Sequence, residues 1–503
     1  MKTENTSPVE AWQALDVSPL VPDQYAPFRP LVADAVAFFV ERLPLPRLTE
    51  IIAAQCALPT EAAAEERLAT LISRCPTLHK LGQVVARDRR LAPAVRVRLQ
   101  TLETLEPATP VETVMSTVRS ELGATALSGL RIESRALAEA SVAVVIPFTF
   151  EASHGGRPVN GVLKVLKPQI EERLEEELDI WADLAEFVDA RCERDGLPPV
   201  RCQELFETVR ELLSREVHLD LEQANLHAAA EFYAHSPRVQ IPAVLPYSTR
   251  RITAMERVFG TKVTAAEHLS ETRRKDLAGL VLRELVAKPV WSTESRAIFH
   301  ADPHAGNLMY TDDGRLAMLD WSLVGHLDKT EREQTAQIVL GALCSDPVRI
   351  RRAIASLAVV QPDEAKLREV VDQAMGQLFR DELPGLAWLM SLLEKAMFKA
   401  GVRFGDDLVL FRKAVLTVEG VAADVSTGTS LGEVLPLSGA VQFLREWAWR
   451  CVAPPRSRNF ATHVSNLDLL ALYFAAPSAA TRFITDRLFW PIHHKGSAGP
   501  PPG

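Results

Sequence analysis

The chain has 503 residues, 47% of them hydrophobic and 24% charged, the balance of a globular protein with more than one core. Its 56 basic and 65 acidic side chains leave a net charge of -9, which weighs against a general nucleic-acid binder, whose affinity rests on neutralising phosphates. The six cysteines (Cys56, Cys75, Cys192, Cys202, Cys344 and Cys451) contain no C-x-x-C pair, so reduced thiols in a cytoplasmic compartment are expected.

The start, Met-Lys-Thr-Glu-Asn-Thr-Ser-Pro, carries no apolar run of the signal-peptide kind. The most apolar stretches, Ala140–Phe150 and Leu469–Ala476, fall short of the ~18 residues a spanning helix needs. A soluble chain is expected, with peripheral contact to a membrane surface left open. Helical periodicity runs through Pro30–Leu43, Leu48–Cys56 and Ala62–Ile72, punctuated by Pro44, Pro46, Pro59 and Pro76, and a further helix-rich stretch reaches Leu122. Ala140–Phe150 and Val162–Leu166 read as a hairpin around His154-Gly155-Gly156-Arg157-Pro158. Two charged helical stretches follow, Ile170–Arg191 and Gln203–Tyr233, then short strands at Val239–Leu245 and Arg251–Val258. After a helix near Arg273–Ala287, a strand-turn-strand spans Ala297–Tyr310 and Arg315–Leu319 around Asp312-Asp313-Gly314. From Glu331 to about Leu488 the chain reads as helical, and the Gly/Pro-rich Lys495–Gly503 as a disordered tail.

This order predicts an α+β protein: a two-lobed protein-kinase-like fold with an N-terminal helical extension and a helical C-terminal region. The expected boundaries are 1–75 for an N-terminal helical region, 76–125 for a helical extension and 126–260 for an N-lobe with inserted helices. The C-lobe with the catalytic and metal-binding loops takes 261–490 and the tail 491–503.

Phosphoryl transfer needs a carboxylate for the acceptor, oxygen ligands for Mg²⁺ and a cation on the phosphates. His300-Ala301-Asp302-Pro303-His304-Ala305-Gly306-Asn307, followed by a hairpin and Leu319-Asp320-Trp321-Ser322, supplies the first two. Asp302 is the candidate catalytic carboxylate, and Asn307 and Asp320 are the candidate metal ligands. A zinc site at His300, Asp302 and His304 is the rival, but no other His or Cys cluster offers the missing ligands. His300 is expected instead to fix the loop through hydrogen bonds. Lys164 lies between apolar neighbours in Val162-Leu163-Lys164-Val165-Leu166, where an ammonium needs a partner. Glu222 is the acid chosen for it: on an ideal helix His218, Glu222 and Asn225 share a face, with Glu216 about 120° away.

Together these residues resemble the UbiB/AarF (ADCK-type) atypical kinases over about residues 76 to 345. Lys80-Leu81-Gly82-Gln83 matches that family's KxGQ motif, Glu216 the first acid of its ExD motif, Glu222 its lysine-pairing glutamate and Lys164 its strand lysine. Met255-Glu256-Arg257-Val258 resembles the hinge that meets adenine through backbone groups. Three departures stand out. The alanine-rich phosphate loop is Ala138-Glu139-Ala140-Ser141-Val142-Ala143-Val144, which keeps Ser141 and lacks the family's Gly and Gln. His218 replaces the ExD aspartate, although an imidazole is a poor ligand for a hard cation. Asp320-Trp321-Ser322 stands for Asp-Phe-Gly.

The resemblance implies binding of ATP or ADP with Mg²⁺, with Asp302, Lys164 and Glu222 catalytic and Asn307 and Asp320 on the metal. Lys164, Ser141, Glu256, Val258, Lys80, Gln83 and Glu216 would be the nucleotide-side residues. It further implies an ATPase or small-molecule kinase serving isoprenoid-quinone or other lipid biosynthesis, acting on a small molecule or an isoprenoid lipid. Lys80 and Gln83 are expected over the nucleotide cleft, within reach of Glu216 or His218. A small-molecule phosphotransferase of the aminoglycoside or choline kinase type, and a nucleotide-binding pseudokinase scaffold, remain as alternatives. Near the C-terminus, Arg445-Glu446-Trp447-Ala448-Trp449-Arg450 is expected to be a solvated helix that packs its tryptophans inward, with contact to a membrane interface as the alternative.

Overall fold

The structure, a computed structural model, describes residues 17, 21, 23–59, 61–85, 109–151, 158–198, 202–378, 384–475 and 477. They form two compact units, one from 1–227 and 242–258, the other from 228–241 and 259–503.

Among the described residues of the first unit, a 3₁₀ turn at Asp23–Phe28 precedes α1 (Arg29–Glu41), α2 (Leu45–Cys56), α3 (Ala64–Arg74), α4 (Pro76–Val85) and α5 (Val111–Ser128). Pro30, Pro46 and Pro76 sit in first turns, where a fixed φ helps and a missing N–H removes no helical bond. Phe39, Val40, Ile51 and Leu71 from these helices enter one core with Trp181 and Leu184. Strands β1 (Leu130–Ile132), β2 (Ala138–Glu139), β3 (Ala143–Glu151) and β4 (Pro158–Leu166) come next, and β5 (Val239–Gln240) belongs to the second unit. With β6 (Ile252–Glu256) they make an antiparallel sheet ordered β1-β3-β4-β6, with β2 on β3. The β3–β4 hairpin is the one expected; its turn, 152–157, lies outside the described residues. Lys164, on the central strand, stands across from Val145 of β3 and Thr253 of β6. Gly161 lets the Phe148 ring close over β4, since a Cβ there would lie 2.4 Å from that ring.

The helices that follow are α6 (Ile170–Asp195), α7 (Cys202–Glu216) and α8 (Leu219–Phe232). The single helix expected over Gln203–Tyr233 is therefore two, parted at Val217 and His218. The break overturns the shared face drawn for His218 and Glu222. His218 precedes α8; its Nδ1 lies 2.5 Å from the Ser214 carbonyl and its Nε2 3.2 Å from an Arg250 nitrogen.

The second unit contains β7 (Gly260–Lys262), α9 (Glu271–Leu282), β8 (Arg296–His300), β9 (Leu308–Thr311), β10 (Leu316–Met318) and β11 (Val324–Asp328). One sheet runs β5-β10-β9-β7; β8 and β11 form a separate antiparallel pair. The continuous strand expected over Ala297–Tyr310 is thus two strands in different sheets. Between them Pro303 lacks a ladder donor, and a 3₁₀ turn at Ala305–Asn307 redirects the chain. The β9–β10 turn forms as its residues predict, with Gly314 at φ 83°. Helices α10 (Lys329–Leu343), α11 (Pro347–Leu357), α12 (Glu364–Gln377), α13 (Leu386–Ala400), α14 (Asp406–Val425) and α15 (Leu431–Arg450) complete the unit. The helical run is interrupted at 451–465 before a further helical stretch at 466–475. Trp447 and Trp449 of α15, expected to pack inward, are 59% and 64% exposed beside an exposed stripe of Leu437, Val441 and Leu444. The inner side is taken by Arg450, paired with Glu446 at 2.9 Å, and by the Leu435 carbonyl, which accepts from the Trp291 indole at 3.1 Å. The expected disordered tail lies outside the described residues.

Candidate functional site

The lysine on β4 has the partner its surroundings demand. Lys164 Nζ donates to Glu222 Oε1 at 2.7 Å, with Lys164 9% and Glu222 1% exposed. Thr253 Oγ1 donates to the other carboxylate oxygen at 3.3 Å. The next residue on α8, Gln223, sends its amide to the Thr249 and Ile252 carbonyls at 2.8 and 3.1 Å, tying α8 to the edge of β6. The neighbouring Glu256 and Arg257 N–H groups are engaged by the Ala243 and Asn160 carbonyls at 2.8 and 3.0 Å.

Lys80 of α4 and Glu216 at the end of α7 form an ion pair, and the Ser141 hydroxyl donates to Glu216 Oε2 at 2.9 Å. Three segments far apart in sequence thus meet on one carboxylate. The expected reach from Lys80 to Glu216 is present; the Gln83 side chain lies outside the described residues. What sequence reasoning missed is the rest of this cluster. Lys167 pairs with Glu139 at 2.7 Å and donates to the Ser141 carbonyl at 3.3 Å. Glu139 also accepts from the Thr109 N–H at 2.8 Å and hydroxyl at 2.7 Å. Burial alone would raise the Glu139 carboxyl, but Lys167 and Thr109 outweigh it and bring its pKa down to about 2. Burial lowers Lys167, with Glu139 opposing. The loop that departs from the family pattern is therefore held by its own glutamate and serine. The second lysine of Leu-Lys-Val-Leu-Lys-Pro was the available signal.

The position of α4 has a further cause. Glu177 of α6, fully buried, accepts from Arg47 of α2 at 2.6 Å and from the Thr77 N–H and hydroxyl at 3.0 and 2.6 Å. It caps the first turn of the helix that carries Lys80.

In the second unit, buried His300 fixes the loop as expected. Its Nε2 donates to the Leu319 carbonyl at 2.9 Å, and its Nδ1 accepts the Asp302 N–H at 3.2 Å. With both ring nitrogens engaged, it has no lone pair to give a zinc ion. Burial lowers its pKa, against the Leu319 bond and the nearby aspartates. Asn307 Nδ2 donates to the Asp302 carbonyl at 3.1 Å, and the Leu319 N–H donates to the Asn307 carbonyl at 2.8 Å. These bonds hold Asp302, Asn307 and the strand end before Asp320 as one piece. Asp320 takes φ 53°, a left-handed conformation Asp tolerates, and accepts from the Ser322 N–H at 3.3 Å. Trp321 is fully buried, donates to the Met318 carbonyl at 3.1 Å and packs 4.9 Å from the His300 ring. The tryptophan that replaces the family's phenylalanine is a packing residue behind the loop. The oxygen-rich set of Asn307 and Asp320 fits a hard cation such as Mg²⁺.

The sequence matches the ABC1 atypical kinase-like domain over residues 102–354. This chain belongs to the ABC1 atypical kinase-like family. Two relatives, each named "Probable protein kinase UbiB", agree with the resemblance. The Haemophilus ducreyi protein is 24% identical over 387 residues, covering 74% of this chain and 69% of that protein. The Xanthomonas oryzae pv. oryzae protein is 26% identical over 369 residues, covering 69% and 64%. An "Uncharacterized protein sll0005" of Synechocystis is 25% identical over 371 residues, covering 70% of this chain. The chain spans about half the length, 51%, of that Synechocystis relative. Among solved structures it is similar to a complex of Rv3197 with erythromycin from Mycobacterium tuberculosis, at 17% identity and a TM-score of 0.46, covering 69% of this chain and 86% of that one. The kinase-like α+β fold with a helical C-terminal region is that of the ABC1 family. Among the described residues no helix is long and apolar enough to cross a membrane, and no cluster of His, Cys, Asp and Glu could hold a metal by itself.

Proposed function

We propose that this ABC1-family chain binds ATP or ADP with Mg²⁺ and transfers the terminal phosphoryl group of ATP to water or a small molecule. The observation that carries the reading is the second-unit network, in which His300 and Asn307 tie the Asp302 loop to the strand end bearing Asp320. Asp302 would accept the acceptor's proton as its oxygen bonds to phosphorus and the bond to the bridging oxygen breaks, leaving ADP. Asn307, whose amide nitrogen is turned to the Asp302 carbonyl, would offer its oxygen to Mg²⁺ together with Asp320. The metal, when bound, neutralises charge on the phosphates. Lys164, held by Glu222, would pin the phosphates, and the Val258 backbone would meet the adenine. Lys80, Gln83, Glu216 and Ser141 would limit access to small acceptors. Isoprenoid-quinone or other lipid biosynthesis is the process this reading serves, an extension that rests on the family resemblance.

Purified protein tested for Mg²⁺-dependent ATP turnover beside Asp302→Asn decides the matter. We expect turnover in the parent and at least a hundredfold loss in the variant. Equal rates would refute the assignment. A catalytically weak nucleotide-binding scaffold is the second reading, favoured by the Glu139 and Ser141 anchors on the phosphate loop. Nucleotide binding without turnover would select it.

A further inference from the structure

His304, two residues past Asp302, is fixed through both of its backbone groups. Its N–H donates to the Asp302 carbonyl and its own carbonyl accepts from the Asn307 N–H, each at 2.9 Å. The ring is fixed as well. Nδ1 accepts from the Gly306 N–H at 3.0 Å, capping the 3₁₀ turn at Ala305–Asn307. A Cβ on residue 306 would lie 2.7 Å from the ring's Cε1 and 2.9 Å from Nδ1, so glycine is what lets the ring fold back onto the turn. A ring nitrogen that accepts carries a lone pair, which puts the proton of the neutral imidazole on Nε2. That Nε2 lies 4.0 Å from Asp302 Oδ2, and the two side chains are 23% and 22% exposed.

A carboxylate that takes a proton from an acceptor uses one oxygen, and its rate depends on that oxygen being held in place. The bonds from His300, Asn307 and the His304 N–H hold the main chain of Asp302. Which carboxylate oxygen meets the acceptor is set by a donor to the carboxylate itself. We propose that His304 is a positioning residue for Asp302, its Nε2–H steering Oδ2 so that Oδ1 is presented to the acceptor as the base. The inference rests on the nucleotide reading, in which Asp302 is that base, and deepens it. The gap of 4.0 Å is longer than a hydrogen bond, and such contacts tighten when substrate completes the site. The acceptor proton passes to Oδ1 as the new O–P bond forms and the bond to the bridging oxygen of ADP breaks. The Nε2 proton stays on His304 throughout. A neutral donor suits this task, because a full cation beside the carboxylate would weaken it as a base.

The test is a pair of variants that separate the two ring nitrogens. His304→Asn puts a carbonyl oxygen where Nδ1 stands and nothing at Nε2, so it keeps the bond to the Gly306 N–H and loses the donor to Asp302. His304→Gln reaches the Nε2 position with an amide N–H and gives up the bond to Gly306. Both are compared with the parent and with Asp302→Asn for Mg²⁺-dependent ATP turnover, and nucleotide affinity is read by titration calorimetry. His304→Asn is expected to lower kcat about 10- to 100-fold while nucleotide affinity stays within about twofold. His304→Gln is expected to turn over faster than His304→Asn. A ring that only capped the turn would give the reverse order; an equal or reversed order, or a loss of nucleotide affinity in place of kcat, overturns the proposal. Should both variants unfold, Gly306→Ala decides, since it keeps the histidine and denies its ring the seat on residue 306. Lowered kcat with nucleotide affinity kept is expected there, and a parental kcat overturns the proposal. Turnover absent from the parent, or equal in Asp302→Asn, refutes the assignment of Asp302 and the positioning role with it. Turnover lost in Asp302→Asn and kept in His304→Asn refutes the positioning role alone.

Discussion

Removing the Glu177 carboxylate should strongly destabilise the first unit, because it anchors Arg47 and the first turn of α4 at once. In Glu177→Ala the Arg47 guanidinium, 6% exposed, keeps a distant 3.8 Å contact with Glu176 and a bond to the Arg74 carbonyl. Breaking a buried pair from one side costs about 3–5 kcal/mol. The Thr77 N–H and hydroxyl also lose their acceptor, about 1–3 kcal/mol if counted alone. The two costs share one site and do not add in full, so about 4 kcal/mol is expected. Arg47→Met with Glu177→Leu removes both charges and refills the volume, and should lie within about 2 kcal/mol of the parent. The coupling between the two sites should then exceed about 2 kcal/mol. Because the chain has two units, a single unfolding midpoint would mix them. Hydrogen exchange of peptides from α4 and α6, together with urea titration, reads the affected unit directly. Additive effects, or a cost below about 1 kcal/mol for Glu177→Ala, would refute the capping role.

Three further outcomes are expected. Lys164→Ala and Glu222→Ala should each lower nucleotide affinity, and their effects should be strongly non-additive in a titration calorimetry cycle; independent effects would break the proposed pairing. Asp320→Asn should abolish the Mg²⁺ dependence of nucleotide binding while leaving the fold intact, since Asn also tolerates the φ of 53° found there; unchanged metal dependence would misplace the site. His463, 1% exposed at φ 57°, donates Nε2–H to the Val290 carbonyl at 2.9 Å; burial, with Arg332 and Lys329 adding to it, lowers its pKa from 6.5 to about 4. A histidine depressed in the folded state favours the protonated unfolded chain, so stability is full above pH 6.5 and declines towards pH 4, by up to about 3 kcal/mol. His463→Asn should remove that slope from urea titrations between those limits, and a slope that persists would point to other groups.

Local chemistry was enough for much of this protein. Lys164 between apolar neighbours announces its need for an acid, and Asp302 and Asn307 come from one short loop whose geometry follows from nearby residues. The turn at Gly314 and the hairpin of β3 and β4 follow from apolar Val/Ile/Phe-rich runs and turn chemistry, which act over a few residues. Choices among equals were settled only by the tertiary structure. The helices after β4 carry many acids with the same local surroundings. Motif position, through the family resemblance, singles out Glu222 for Lys164 and Glu216 for Lys80, whereas packing alone gives Glu139 to Lys167 and Glu177 to the first turn of α4. The break at Val217 and His218, which puts Glu216 and Glu222 on separate helices, likewise lies beyond periodicity, because a buried end and a buried middle of a helix read alike. On α15 the periodic stripe is real and its direction is reversed. A hydrophobic pattern states which residues share a face, and the long-range partners of Arg450 and Trp291 decide which way that face turns.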